Sequence, residues 1–342
     1  MEEARTVLYG VGAVGSLIAK VLLEKEGLKV VGAIDVAEDK VSKDLGDVLG
    51  LGTRVGIAVS NDADAVLQDT TPHIVIHTTA SHLKTVFPQL TGIIKHGINV
   101  VSTCEELSYP YRSEPHLAEQ LDALARAHHA TVLGTGINPG FLIDTLVITL
   151  TAACQKINRI TAVRVMDAAA RRVPFQTKIG AGLSVEAFRQ AIAQGTISGH
   201  VGLEQSIAMI EAALAWNLEN IVVNQAEPVI AKKQVKSDAV VVKTGHVAGL
   251  RQVAQGYRNG QAVITLDFQA YIGAEEEYDS IRIDGVPTIN QKITPCVHGD
   301  VGTVAMVVNA IPRVVNAAPG LVTMKDLPVP SAAVERMMTY LR

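Results

Sequence analysis

The residues best suited to chemistry stand near the start of the chain, where the glycine turn GVGAVG covers residues 10–15 and Asp35 follows a second apolar run. In such a pattern Gly10 permits a tight strand-to-helix turn, Gly12 lets a pyrophosphate approach bare backbone, and Gly15 lets the helix lie close to the strand. The helix N-terminus offers amide donors, and a carboxylate can accept hydrogen bonds from ribose hydroxyls. An ordinary tight turn is the plainer alternative. The predicted dinucleotide contacts are Gly10, Gly12, Ala13, Val14, Gly15 and Asp35.

Asp35 also bears on which dinucleotide binds, because a carboxylate would repel the phosphate of NADP. Val36 and Ala37, which follow it, provide no guanidinium for that phosphate. NAD is therefore favoured as the cofactor. Lys40 and Lys43 lie a few residues downstream and could reach a phosphate, although exposed lysines are usually only solvated. Use of NADP as well as NAD therefore stays open.

Length and composition indicate a globular protein of two domains. The 342 residues are long for one core, and 48% hydrophobic with 19% charged residues leave no case for disorder. A net charge of -4 and only 4% aromatic residues argue against a nucleic-acid partner. Cys104, Cys154 and Cys296 have neither metal-ligand nor disulfide spacing, and no segment resembles a signal peptide or a membrane span. We expect a cytoplasmic protein that binds neither a metal nor a membrane.

Alternating apolar strands and amphipathic helices predict a Rossmann-type α/β domain with a doubly wound parallel sheet. After the first two strands, further strands are predicted at residues 74–76, 98–101 and 131–133. Ser113 is a candidate N-cap for the helix before the last of them. The series ends in GTGINPGF, residues 134–141, whose glycines and proline predict a hinge.

Beyond this hinge the pattern changes to that of an inserted α+β domain. Its predicted strands cover residues 157–165, 221–223, 239–242 and 262–271. The last alternates apolar and polar residues, as in a sheet with one covered face, and a bare face would need a second subunit. An apolar helix over residues 304–315, with a kink at Pro312, should return to the first domain. We therefore predict a nucleotide domain of residues 1–140 plus 301–342 and a substrate-binding and dimerisation domain of residues 141–300.

Three loops of the nucleotide domain are candidates for the reaction site, since ligands bind beyond the carboxyl ends of parallel strands. The loop HTTAS, residues 77–81, offers hydroxyls and small side chains to the nicotinamide ribose, with a plain helix cap as the alternative. The loop STCEELSYP covers residues 102–110. The backbone of GTGINPGF, with Phe141, could cover the nicotinamide ring. The predicted cofactor contacts in these loops are Thr78, Thr79, Ala80, Ser102, Thr103, Asn138 and Pro139.

The second loop contains the groups that could define a reaction. Glu105 or Glu106 near the nicotinamide could act as a base or stabilise a cationic imine. A solvated acidic helix start is the alternative, because negative charge is favourable there. Cys104 offers a rival chemistry in which a thiolate attacks an aldehyde. However, no histidine has a recognisable spacing to activate it, and a lone cysteine is usually a small buried hydrophobic residue.

Several segments together resemble the 2,4-diaminopentanoate dehydrogenase family, which is related to the native amine dehydrogenases and more distantly to dihydrodipicolinate reductase. These are GVGAVG with Asp35, KDLGDVLGLG at 43–52, NVVSTCEELSYP at 99–110, GTGINPGFLIDTL at 134–146 and HGDVGTVAMVVNAIP at 298–312. The resemblance implies a Rossmann domain with an inserted substrate domain and a homodimer. It implies NAD(P)-dependent oxidative deamination of an amine, reversible as reductive amination of a ketone with ammonia. It also implies a catalytic glutamate, carried onto Glu105 with Glu106 as the other possible register.

A diamino acid substrate would carry a carboxylate, and arginine could bind it in a bidentate manner. Arg171, Arg172 and Lys178 lie just beyond the first strand of the second domain, although plain surface charge also explains them. His200 and His298 are candidate polar pocket residues, each with a structural role as the alternative. The predicted substrate contacts are Phe141, Met166, Arg171, Phe175, Lys178, His200 and Thr303. A reductase of cyclic imines, a Cys104-dependent aldehyde dehydrogenase and a non-catalytic NAD sensor are the competing functions.

Overall fold

The computed structural model describes residues 3–334 and 337. Its contacts divide the chain into two compact units, one of residues 1–141 with 299–342 and the other of residues 142–298. No helix in the described part of the chain is long and apolar enough to cross a membrane.

The strands are numbered in chain order over both units. They are β1 (Ala4–Tyr9), β2 (Leu28–Ile34), β3 (Val59–Ser60), β4 (Ile74–His77), β5 (Asn99–Ser102), β6 (Thr131–Gly134), β7 (Lys156–Asp167), β8 (Asn220–Val223), β9 (Glu227–Ile230), β10 (Val235–Lys236), β11 (Val241–Val242), β12 (Val247–Arg258), β13 (Gln261–Tyr271), β14 (Tyr278–Val286), β15 (Ile289–Ile293) and β16 (Gly320–Val322).

The helices are numbered in the same way. They are α1 (Ala13–Glu24), α2 (Leu45–Leu49), α3 (Ala63–Thr70), α4 (Leu83–Lys95), α5 (Pro115–Ala127), α6 (Thr145–Thr151), α7 (Val173–Lys178), α8 (Val185–Ala193), α9 (Leu203–Ala213) and α10 (Gly299–Val315). Short 3-10 turns cover Glu105–Ser108 and Ala168–Ala170.

The first unit is built on a parallel sheet, which confirms the predicted Rossmann-type fold. Its described strands lie in the order β16-β6-β5-β4-β1-β2-β3, and every pair is parallel. The chain crosses from one side of β1 to the other between β3 and β4, so the ends of β1 and β4 form the switch point where such sheets bind ligands. The strands β4 and β6 are buried along their whole length, as strands covered on both faces by helices should be.

The start of α5 and the course of α10 at Pro312 were both predicted from the sequence. Ser113 is not the N-cap of α5, because the helix begins at Pro115 with Glu114 as its N-cap and no side-chain capping bond. Proline is favoured in the first helical turn, since its fixed φ suits the helix and its missing N–H is not needed there. The helix α10 continues past Pro312 to Val315.

The second unit is built on a mixed sheet, as the predicted α+β class requires. Its described strands lie in the order β15-β14-β7-β13-β12-β8, with β9 also pairing with β12. The strands β7 and β13 run parallel, whereas the other pairs are antiparallel. In β13, Ile264, Leu266 and Phe268 are buried and the residues between them are half-buried, which confirms the alternation expected of a half-covered sheet. The strand predicted over residues 239–242 is only β11, which pairs with β10 outside this sheet.

Candidate active site

The glycine turn between β1 and α1 has the geometry of a phosphate site. Gly10 has a φ of 96°, and a Cβ added to it would lie 2.7 Å from the Thr78 carbonyl oxygen. A Cβ on Gly15 would lie 2.1 Å from the Gly10 carbonyl oxygen, so tight packing excludes a side chain at both positions. A Cβ on Gly12 would meet nothing within 4 Å. The turn is therefore closed on its inner side and leaves open space over Gly12.

The N-terminus of α1 adds hydrogen-bond donors to this open space. Gly12 is the N-cap and supplies no side-chain cap, and the amides of the first turn, which includes Ala13 and Val14, have no acceptor within the helix. Gly12 and Ala13 are exposed, whereas Val14 is half-buried. Exposed amides, the helix dipole and room for close approach together fit a pyrophosphate.

Asp35, directly after β2, is held by three donors. Its Oδ2 accepts hydrogen bonds from the Val11 amide at 2.8 Å and from the Lys40 ammonium at 3.0 Å, and its Oδ1 accepts one from the Ala37 amide at 2.9 Å. Partial burial disfavours the charged form, but the amide bonds from Ala37 and Val11 and the Lys40 charge hold the pKa of Asp35 below its usual value. Asp35 is thus an ionised acceptor attached to the glycine turn.

The HTTAS loop binds the glycine turn to β4. The Thr78 amide donates to the Tyr9 carbonyl at 2.8 Å, and the Thr78 hydroxyl donates to the Gly10 carbonyl at 2.7 Å. The Thr79 hydroxyl donates to Gln89 Oε1 at 2.7 Å, and Ala80 packs against the apolar core. The Thr78 and Thr79 hydroxyls therefore both donate to acceptors within the protein, so toward a ribose they could act only as hydrogen-bond acceptors.

His77, at the end of β4, is the centre of a buried polar network that the sequence did not reveal. Its Nδ1 lies 2.9 Å from the Ser102 hydroxyl, and its Nε2 lies 2.8 Å from Gln89 Oε1 and 3.1 Å from the Thr79 hydroxyl. Burial lowers the pKa of His77 to about 4. The Ser102 hydroxyl also accepts from the Cys104 amide at 3.1 Å. The network ties the ends of β4 and β5 to α4.

Ser102 and Thr103 differ in how far a ligand could reach them. The Ser102 side chain is fully buried and bound to His77, and its contact with a cofactor stays a prediction. Thr103 is half-buried, and its amide donates to the His77 carbonyl at 3.0 Å. Sequence reasoning could have found this network from one signal: a histidine that ends the fully apolar run IVI must find partners when it is buried.

The two glutamates of the second loop have different surroundings. Glu106 Oε2 accepts a hydrogen bond from the Leu83 amide at 2.7 Å, and its Oε1 lies 2.8 Å from His82 Nδ1. Glu106 is therefore bound at the N-terminus of α4, where its charge is favourable. The half-buried Glu105 carboxylate has no hydrogen-bond or ion-pair partner within residues 3–334. Of the two acids, Glu105 is the one available to a ligand.

Cys104 is unsuited to nucleophilic chemistry. Its side chain is buried, and its Sγ donates to the Ser81 carbonyl at 3.2 Å. Burial, helped by the nearby charges of Glu105 and Glu106, raises the pKa of the thiol to about 12. A thiolate is therefore rare at neutral pH, and the environment is the opposite of that of a reactive cysteine.

The third loop, GTGINPGF, is tightly packed. A Cβ on Gly134 would lie 2.4 Å from the Leu107 carbonyl carbon, so this glycine lets β6 lie against the turn that carries Glu105. The Ile137 amide donates to the Thr303 hydroxyl at 3.3 Å, which gives Thr303 a role in holding the loop. Pro139 is buried, whereas Asn138 and Phe141 are half-buried and remain candidates for ligand contact.

In the second unit, three predicted substrate residues meet. The Arg171 guanidinium lies 4.3 Å from the ring centroid of Phe175, and its Nη1 lies 3.5 Å from Met166 Sδ. His200 is stacked on Phe268 with ring centroids 4.3 Å apart, and Lys178 is exposed. The structure therefore brings together the cation of Arg171 and the apolar side chains of Met166 and Phe175.

A buried ion pair in the second unit was also missed by the sequence analysis. Arg164 on β7 is 1% exposed, and its Nη1 donates to Asp279 Oδ1 at 2.9 Å. Asp279 Oδ2 accepts from the Val297 amide at 2.8 Å. Burial raises the pKa of Asp279 although Arg164 opposes this shift. A charge at an inward position of an apolar strand is the signal that could have predicted such a pair.

These features define a dehydrogenase-type Rossmann domain that binds a nicotinamide dinucleotide, joined to a second, mixed-sheet domain. Within the described residues, no group of three or more His, Cys, Asp or Glu side chains could hold a metal ion.

Comparison with known proteins identifies the family. Residues 141–342 match the C-terminal domain of 2,4-diaminopentanoate dehydrogenase, and residues 4–105 match the N-terminus of dihydrodipicolinate reductase. The chain is 36% identical to the 2,4-diaminopentanoate dehydrogenase of Acetoanaerobium sticklandii, over 97% of this chain and 95% of that protein. It belongs to the 2,4-diaminopentanoate dehydrogenase family and is an oxidoreductase that acts on amine donors.

Two amine dehydrogenases are further relatives. The structure of the amine dehydrogenase from Mycobacterium smegmatis is similar with a TM-score of 0.84 and 29% identity, over 97% of this chain and 98% of that one. The amine dehydrogenase of Streptomyces virginiae is 22% identical over 95% of this chain and 96% of that protein. Both matches extend over nearly the whole chain, as the resemblance of the sequence motifs implies.

Proposed function

We propose that this enzyme catalyses the reversible oxidative deamination of an amine related to 2,4-diaminopentanoate, giving a ketone and ammonia, with NAD as the preferred cofactor. The observation that carries the proposal is the half-buried carboxylate of Glu105 beyond the end of β5, which has no hydrogen-bond or ion-pair partner among the residues that the structure describes. Its neighbour Glu106 is already bound to the Leu83 amide. The 36% identity to a 2,4-diaminopentanoate dehydrogenase supports the substrate class.

The dinucleotide site fits a nicotinamide cofactor. The exposed backbone of Gly12 and the first amides of α1 would hold the pyrophosphate, and the ionised Asp35 would accept from the ribose hydroxyls. The cofactor, when bound, supplies a two-electron acceptor for the hydride that leaves the amine carbon. The Thr78 hydroxyl and the backbone of the glycine turn hold this site in shape.

Glu105 would act on the substrate through its charge. As the substrate carbon loses hydride, positive charge develops on the iminium, and the Glu105 carboxylate stabilises that charge. Glu105 then accepts a proton from the water that attacks the iminium carbon, and the carbinolamine so formed releases ammonia and leaves the ketone. In the reverse direction the same carboxylate assists the addition of ammonia. A positioned acid-base group contributes about 10² to 10⁴ in rate, or roughly 3 to 5 kcal/mol of barrier.

Arg171 is the residue we assign to the substrate carboxylate. Its guanidinium is planar and presents paired donors that match a carboxylate. Stacking on Phe175 restricts the side chain, so less conformational entropy is lost when a ligand binds. The Met166 and Phe175 side chains provide apolar surface for the carbon chain of the substrate. A simple amine without a carboxylate would not need Arg171.

The half-buried outer face of β13 supports a homodimer. Along β13 the outward residues Thr265, Asp267 and Gln269 are only half-buried, and Asp267 forms a bidentate pair with Arg251. A broad sheet face with mixed polar and apolar side chains suits contact with a second copy of this chain. Light scattering of the purified protein measures its oligomeric state and decides this part of the proposal.

The decisive assay follows NADH oxidation with ketones in the presence and absence of ammonium. Matched ketones with and without a carboxylate, such as an amino-oxopentanoate and 2-pentanone, test the role of Arg171. We expect oxidation that requires ammonium and favours the carboxylate, and an Arg171→Met variant should lose that preference. Oxidation that is indifferent to ammonium would contradict the proposal, and activity on preformed cyclic imines alone would point to the reductase chemistry of dihydrodipicolinate reductase.

A further inference from the structure

Lys40 lies against Asp35, the residue that should select the cofactor. The Lys40 ammonium is 3.0 Å from Asp35 Oδ2, and the two side chains are only 23% and 10% exposed. Lys40 is therefore not one of the solvated surface lysines that the sequence alone would favour. It places a positive charge beside the carboxylate that would otherwise repel the phosphate of NADP.

The backbone fixes Lys40 in this place. Asp35 Oδ1 binds the Ala37 amide at 2.9 Å, and the Ala37 carbonyl accepts from the Lys40 amide at 2.9 Å and the Val41 amide at 3.1 Å. This tight turn folds the chain back over Asp35. Lys43, one turn further, is exposed and has no ion pair within the described residues. The two lysines of this segment are thus not equivalent.

The geometry leaves Lys40 able to bind a second anion. A lysine ammonium has three N–H donors, and the Asp35 contact uses one of them. The side chain is flexible and partly exposed, so the remaining donors can turn to an oxygen next to Asp35. Val36 and Ala37 bring no other cation to this point.

We propose that Lys40 determines cofactor selectivity. It offsets the charge of Asp35 and donates a hydrogen bond to the 2′-phosphate, so that the enzyme binds NADP in addition to NAD. The inference rests on the proposed function, because it concerns the same dinucleotide site. Without Lys40, Asp35 would keep its ribose contacts and would reject the phosphate. NAD binding then depends on Asp35, whereas NADP binding depends on Lys40.

The test is direct binding, measured by the change in nicotinamide fluorescence when NADH or NADPH is titrated into the enzyme. Lys40→Met keeps the length of the side chain without its charge, Lys40→Arg keeps the charge, and Lys43→Met is the matched control. We expect the wild type to bind both cofactors. Lys40→Met should raise the dissociation constant for NADPH by about tenfold or more and change that for NADH by less than about threefold, because only NADPH loses a charge-assisted contact.

The remaining variants complete the test. Lys40→Arg and Lys43→Met should keep the wild-type ratio of the two dissociation constants. The assignment of Lys40 would be overturned if the wild type did not bind NADPH, or if the ratio were unchanged in Lys40→Met. In either case, binding of NADH would leave the proposed function intact. Failure of the folded wild type to bind either dinucleotide would overturn the proposed function together with this inference.

Discussion

Glu106 accepts a hydrogen bond from the Leu83 amide, across 23 residues of sequence, and thereby caps the helix α4 from outside that helix. The helix lacks a capping side chain of its own, since its N-cap is His82. The turn that carries both glutamates is therefore attached to α4 by Glu106. The two acids therefore differ: Glu106 is bound at the N-terminus of α4, whereas the Glu105 carboxylate has no hydrogen-bond or ion-pair partner within the described residues.

Glu106→Gln should destabilise the protein without abolishing turnover. The amide keeps one acceptor oxygen but loses the charge that favours the helix N-terminus, so the free energy of unfolding should fall by about 0.5 to 2 kcal/mol. Urea denaturation followed by circular dichroism measures this change. An unchanged midpoint combined with lost turnover would mean that Glu106, and not Glu105, is the catalytic acid.

His77 should be neutral over the working pH range, and it should make stability depend on pH. Its pKa is lowered from 6.5 to about 4, so below pH 6.5 the unfolded chain binds a proton that the folded protein does not. Stability should therefore fall as the pH drops from about 6.5 to about 4, by up to roughly 3 kcal/mol, and then level off. The Ser102 hydroxyl and Gln89 Oε1 specify a proton on Nε2.

Two measurements check this prediction. The nitrogen chemical shifts of the His77 ring, read by NMR, should report the Nε2–H tautomer at pH 7. His77→Asn should be less stable at pH 7. Its free energy of unfolding should also depend less steeply on pH between about 6.5 and about 4, because the titrating ring is gone. A ring that titrates near pH 6.5 would contradict the buried network.

Cys104→Ala should retain amine dehydrogenase activity. The mechanism forms no covalent enzyme intermediate, and a pKa of about 12 leaves the buried thiol protonated. Steady-state rates with an amine and NAD measure the effect, with circular dichroism as the control for folding. Loss of turnover in a folded variant, with a thioester trapped on incubation with aldehyde and NAD, would favour the aldehyde dehydrogenase reaction instead.

Five strands of the parallel sheet could be predicted because they are largely buried and stand out as apolar runs, whereas β3 and β16, of two and three residues, are too short to give such a signal. The strand β12 could not be predicted, although it is an interior strand of the mixed sheet that pairs with β13 on one side and with β8 and β9 on the other. Glycines at 249 and 256 and polar residues between them break its pattern. Both glycines are needed where neighbours approach closely, since a Cβ on Gly249 would lie 2.1 Å from the Ala270 carbonyl oxygen and one on Gly256 would lie 2.7 Å from Leu218 Cδ1.

In the candidate site, too, local motifs could be predicted and long-range contacts could not. The glycine turn and Asp35 could be located from spacing, because that motif is local in the sequence. The partners of Thr78, Ser102 and Glu106 could not be predicted, since their hydrogen bonds join residues 23 to 68 positions apart. The different surroundings of Glu105 and Glu106 also depend on such long-range contacts, so the sequence could not predict them.

The most direct test of the mechanism is the turnover of Glu105→Gln, measured as ammonium-dependent NADH oxidation with the preferred ketone. The substitution keeps the shape of the side chain and removes its charge, so turnover should fall by about two or more decades while the dissociation constant for NADH stays nearly unchanged. Glu106→Gln, measured in parallel, should remain active. Near-normal turnover of Glu105→Gln would contradict the assignment of Glu105 as the catalytic carboxylate.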